Sequence, residues 1–72
     1  MSFFDETFNF GETFSTPPSY VIPFLLTPLG AYNISATYPD NITDETFKVR
    51  FSGFMQLTTT KDVHIAWIAV WL

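Results

Sequence analysis

The sequence predicts an all-β fold, a small antiparallel sandwich, and three observations carry that prediction. Apolar and polar residues alternate with a period of two in several segments, as in strands with one buried face. Glycine and proline punctuate the chain between those segments. Apolar residues at helical spacing never extend beyond a turn or two.

The segments follow in order. Phe8 and Phe10 alternate with Thr7 and Asn9, which predicts a short first strand over Thr7 to Phe10. Gly11 to Ser19 contains Pro17 and Pro18, and the loss of two backbone donors makes it a loop. Tyr20 to Leu26 is apolar on both faces, and Pro23 within it marks an edge or a bulge. Thr27-Pro28-Leu29-Gly30 is a turn by composition. Tyr32 to Tyr38 alternates cleanly, with Tyr32, Ile34, Ala36 and Tyr38 on one face. Pro39 to Glu45 is a polar loop. Thr46 to Leu57 sets Phe47, Val49 and Phe51 against Lys48, Arg50 and Ser52, with a bulge or bend expected at Gly53. Asp62 to Leu72 is the last strand; Val63, Ile65, Trp67, Ala69 and Trp71 share one face, and His64, Ala66, Ile68 and Val70 the other. Phe47, Val49, Phe51, Ile65 and Trp67 are the expected core. There is no internal repeat.

Composition then points to association. The chain has 72 residues, enough for one domain spanning 1–72. A core that small is commonly reinforced by disulfides, a metal or oligomerisation. There is no Cys and a single His, so oligomerisation is the remedy left. The chain is 47% hydrophobic and 14% charged, more apolar surface than one small core hides. Both faces of the last strand are apolar from Ala66 onward, whereas an outer strand keeps one polar face. A second chain is therefore expected over the face of His64, Ile68 and Val70.

Charge and motifs exclude several classes. With a net charge of −4 and only Lys48, Arg50 and Lys61 as bases, no nucleic-acid partner is expected. Met1 to Glu6 lacks the basic start of a signal peptide, and no apolar run approaches the ~20 residues of a membrane span. Asp40-Asn41-Ile42-Thr43-Asp44 lacks the Gly and closing Glu of a calcium loop, so no metal or other cofactor is expected. His64 has Asp62 as its neighbour on the same strand face, an arrangement read as a polar interface pair. No nucleophile stands with a base, and no enzyme is predicted. Phe54 shares a face with Lys48, Arg50 and Gln56, an apolar ring in a polar setting that suits recognition of a sugar or a protein.

The order of the motifs resembles the H-type lectin domain over about residues 7–71. The matching pieces are Phe8-Asn9-Phe10, Phe14-Ser15-Thr16-Pro17-Pro18, Val21-Ile22-Pro23-Phe24-Leu25 and Asn33-Ile34-Ser35-Ala36. They continue with Ile42 to Val49 and close on Val63-His64-Ile65-Ala66-Trp67-Ile68-Ala69. The resemblance implies a six-stranded antiparallel sandwich that trimerises, in a family that includes agglutinins and domains of phage tails and fibres. It implies a homotrimer, or a multiple of one, serving as a phage tail, fibre or capsid component in the virion. Its structural or receptor role would bring it against other virion proteins or a host surface glycan. The alternative is a free-standing soluble lectin. Ligand contacts would fall to Asn33, Phe54 and Gln56. Asn33 stands where the sugar-binding members carry an arginine, and Phe54-Met55-Gln56 where they carry a Trp-His pair.

That exchange generates a first prediction. Arginine offers five donors in a rigid fork, asparagine two donors and an acceptor on a short stem. Each charge-assisted hydrogen bond lost costs about ten- to a hundredfold in affinity. Calorimetry with millimolar N-acetylgalactosamine is expected to register no binding. A saturable isotherm abolished by Asn33→Ala or Phe54→Ala would overturn this.

Overall fold

The computed structural model describes residues 2–28, 30, 32–53 and 63–72. It is an all-β fold of two antiparallel sheets. Five strands run β1 (Ser2–Asn9), β2 (Tyr20–Leu25), β3 (Asn33–Thr37), β4 (Thr46–Gly53) and β5 (Ile65–Val70), with one 3₁₀ turn at Pro39–Asn41. One sheet has the order β1-β4-β3 and the other pairs β2 with β5. The sixth strand implied by the family resemblance is not among the described residues.

Strand β4 is the axis of the molecule. Its alternation turns Phe47, Val49 and Phe51 inward, each at most 1% exposed, and Lys48, Arg50 and Ser52 outward. Phe10, Val21 and Tyr32 complete the buried cluster. Phe4 stacks on Phe51 at 5.0 Å and Phe8 on Phe47 at 5.6 Å, so β1 adds its own rings to those of its partner. Phe10 then meets Trp67 edge-on at 4.9 Å and joins the two sheets. Ile65 and Trp67, expected inside the core, are half-buried and pack along its border.

Three elements depart from the periodicity. Strand β1 starts at Ser2 rather than Thr7. Glu6 breaks the apolar alternation between Phe4 and Phe8, yet pairing with β4 holds the extended backbone from Ser2 onward. Strand β3 contains a bulge between Ile34 and Ala36, which pair with the consecutive residues Phe51 and Arg50. A bulge shifts the phase of a strand by one residue. Tyr32 and Ile34 therefore face the core, while Ala36 lies beside Arg50, and the single face expected for Tyr32 to Tyr38 is divided. Strand β4 ends at Gly53, and the predicted continuation to Leu57 lies outside the described residues.

Pro23 fits its strand without loss. Leu26 N–H donates to the His64 carbonyl at 2.9 Å, which sets the phase of the β2–β5 ladder. Ladder bonds recur at every second residue. Phe24, Ile22 and Tyr20 thus bond across to β5, and Pro23 falls at an alternate position turned to the other edge. The missing proline N–H removes no bond between the two strands.

Gly53 ends β4 beneath Tyr32. A Cβ on Gly53 would lie 2.6 Å from a ring carbon of Tyr32, so only hydrogen fits. Gly53→Ala is expected to destabilise the fold by about 1–3 kcal/mol through overpacking. Chemical denaturation checks this. An unchanged midpoint would show that the Tyr32 ring does not cover the glycine.

Candidate interaction faces

The sandwich has two outer faces of opposite character. On the β2–β5 ribbon the cross-strand pairs Tyr20↔Val70, Ile22↔Ile68 and Phe24↔Ala66 point away from the core. Leu26 and His64 extend the row by one step. Tyr20, Ile22, Phe24, Leu26 and Ile68 are between 39% and 62% exposed. Among the described residues no charged one interrupts the face. At roughly 200 Å² for a fully exposed large side chain, these five together present roughly 450–500 Å². That is at the upper end for an apolar patch on a monomer.

The outer face of the three-stranded sheet is polar. Its centre is Arg50 on β4, directly opposite Asp5 on β1. Arg50 Nε donates to Asp5 Oδ1 at 2.8 Å and Nη2 to Oδ2 at 3.2 Å, a side-on bidentate pair. Lys48 Nζ lies 3.8 Å from Asp5 Oδ2. The Tyr38 hydroxyl donates a long bond of 3.5 Å to Asp5 Oδ1. Two rings neighbour the guanidinium, Phe3 with its centroid 3.9 Å from the guanidinium carbon and Tyr38 at 5.5 Å. Beyond them Ser35 and Ser52 share a hydroxyl bond of 2.7 Å.

Each position follows from local structure. The alternation of β4 sends Lys48 and Arg50 out together. The register of β1 carries Asp5 and Phe3 to the same side. The bulge in β3 turns Tyr38 onto that face, where Lys48 also lies over its ring at 5.3 Å. Sequence reasoning placed Lys48 and Arg50 outward but assigned Asp5 no partner. The one trace of it is the shared four-residue spacing of Phe4 and Phe8 and of Phe47 and Phe51, which names no partner for Asp5 until β1 pairs with β4.

The sequence-predicted residues are scattered over both faces. Asn33 is exposed at the start of β3 and lines an open cleft of about 380 Å³ with Leu25, Leu26, Thr27, Pro28, Gly30 and Tyr32. Phe54 and Gln56 lie outside the described residues, as does Asp62, the expected partner of His64. His64 is exposed, and its backbone N–H donates to Thr27 Oγ1 at 2.7 Å. Ile68 is exposed and Val70 half-buried on the ribbon's outer face. Among the described residues no group of His, Asp and Glu lies together as a metal site. Among them, too, no helix is long and apolar enough to cross a membrane.

The Arg50 guanidinium holds the Asp5 carboxyl below the usual aspartate range, chiefly through its hydrogen bond and then its charge. A carboxylate whose pKa is depressed on folding stabilises the fold above its unfolded value, about 3.9. That contribution disappears as pH falls through the lower folded value. Wild type is expected to exceed Asp5→Asn in stability at pH 6, and the gap to close below about pH 4. Thermal melts across that range check it. A gap independent of pH would show that the pair contributes nothing through charge.

No protein-family model matches the chain, and comparison with curated proteins and with solved structures likewise yields no match.

Proposed function

We propose that this protein is a non-enzymatic building block of an oligomeric assembly, a homotrimer held together through the outer face of the β2–β5 ribbon. The observation that carries this reading is the uninterrupted apolar row from Tyr20 to Leu26 beside Ala66, Ile68 and Val70. An antiparallel sandwich keeps its outer faces polar. The three-stranded sheet obeys that rule and the ribbon breaks it. Three such faces meeting around an axis remove roughly 1,350–1,500 Å² of apolar surface from water in the trimer as a whole.

Threefold packing suits the ribbon's width. Strands lie about 4.8 Å apart and packed sheets about 10 Å apart. A strip two strands wide closes around an axis with two copies of itself, with the Ile22–Ile68 rung near its centre. The setting we propose is a virion, in a tail, fibre or capsid ornament with a structural or receptor-recognition role, and it rests on the family resemblance. It predicts the chain among the proteins of purified virus particles.

Light scattering at micromolar concentration is expected to give about three times the chain mass of 8.3 kDa. Ile68→Asp would set an unpaired charge in the seam, a change that buried interfaces tolerate only with compensation. It is expected to yield monomer or to prevent expression. The milder Ile22→Ser is expected to weaken association while the fold persists. A stable wild-type monomer would sink the reading, and a dimer would keep the interface but not the symmetry.

A further inference from the structure

We propose that the opposite face of the molecule, around Arg50, is a docking site for a carboxylate-bearing segment of a protein partner. The proposal stands on the β1-β4-β3 sheet alone and does not require the ribbon to form a trimer. Asp5 occupies the Nε–Nη2 edge of the guanidinium. Arginine carries five donors. The two on Nη1 and the second on Nη2 have no partner among the described residues. One from each nitrogen makes the end-on fork that takes a carboxylate bidentately.

The site is built before any ligand arrives. Arg50 is held by Asp5 along one edge, and the Phe3 and Tyr38 ring centroids lie 3.9 and 5.5 Å from its guanidinium carbon. The ordering of a long side chain, normally a cost of binding, is already met. Phe3 is 59% exposed, so its ring covers the guanidinium on one side and meets the surroundings on the other. An exposed ring, a tyrosine and an immobilised arginine are the side chains that dominate binding at protein interfaces.

Charge selects the partner. Among the described residues Lys48 and Arg50 face one carboxylate, Asp5, which leaves a local surplus of one positive charge on a chain of net −4. One surplus charge matches one carboxylate flanked by apolar groups. A nucleic acid or a polyanionic glycan presents charge after charge and draws its affinity from many cations. The acidic remainder of this chain would repel either one.

The test is a titration of the ¹⁵N-labelled protein, followed by NMR, with the blocked tripeptide Leu-Glu-Leu and its Leu-Gln-Leu counterpart. The glutamate peptide is expected to shift the resonances of Phe3, Tyr38, Lys48 and Arg50 saturably. The glutamine peptide is expected to bind about tenfold more weakly, the cost of one charge-assisted contact. Lys48→Gln and Phe3→Ala, both at exposed or half-exposed positions, should each weaken the glutamate peptide severalfold with the remaining spectrum unchanged. Equal responses to the two peptides, or none up to about 10 mM, would overturn the proposal. Tighter binding of sialyllactose than of the glutamate peptide would also overturn it, in favour of an acidic-glycan site.

Discussion

Everything in this molecule is referred to the inward triplet of β4. Phe47, Val49 and Phe51 are the most deeply buried side chains, and β4 is the only strand paired on both edges among the described residues. The pleat allows no independent choice for the residues between them. Once the triplet turns inward, Lys48 and Arg50 must turn out. Hydrophobic burial thus places the charged centre of the polar face, although that face contributes no part of the core. The same register sets Phe4 over Phe51 and Phe8 over Phe47, and thereby Asp5 against Arg50.

The second sheet is narrower than the first, and the imbalance has consequences. A two-stranded ribbon covers part of a three-stranded sheet, so Glu6, which shares inward parity with Phe4 and Phe8, is exposed. Trp67 and Ile65 lie along the border of the core for the same reason. The loop of Gly11 to Ser19 closes part of the gap. Phe14 sits between Phe10 and Trp71 at 5.1 and 4.9 Å, and Trp71 Nε1 donates to the Thr16 carbonyl at 3.0 Å. An isolated two-stranded ribbon is marginal in water. Among the described residues, this one is held by side chains from the first sheet and its loop.

The strand segments and the inward face of β4 were legible in the sequence because a period of two survives wherever one face is buried. The apolar outer face of β5 was legible too, since His64, Ala66, Ile68 and Val70 alternate with an equally apolar row. Three features were not. The start of β1 is hidden by Phe3-Phe4-Asp5-Glu6, which has no alternation, and only pairing with β4 defines it. The bulge in β3 is hidden by a segment whose alternation continues unbroken through the phase shift; nothing in Ile34-Ser35-Ala36 marks an extra residue. The Asp5–Arg50 pair joins residues 45 positions apart and depends on the first of these features, the pairing of β1 with β4 from Ser2 onward. Charged side chains on strands declare a face but not a partner.

The two outer faces cannot exchange roles. Among the described residues the ribbon carries roughly half a thousand square ångströms of apolar surface and no charge to orient a partner, so contact there rewards area and excludes water. The sheet around Arg50 has little apolar area but fixed, directional donors, so contact there rewards geometry. The sandwich holds them on opposite sides of one core. A contact that buries the ribbon leaves Phe3, Arg50 and Tyr38 facing away from it. An assembly built on the apolar face therefore displays one copy of the polar site per chain around its periphery. A partner that engaged several copies at once would gain avidity that no single site supplies, provided its own spacing matched theirs.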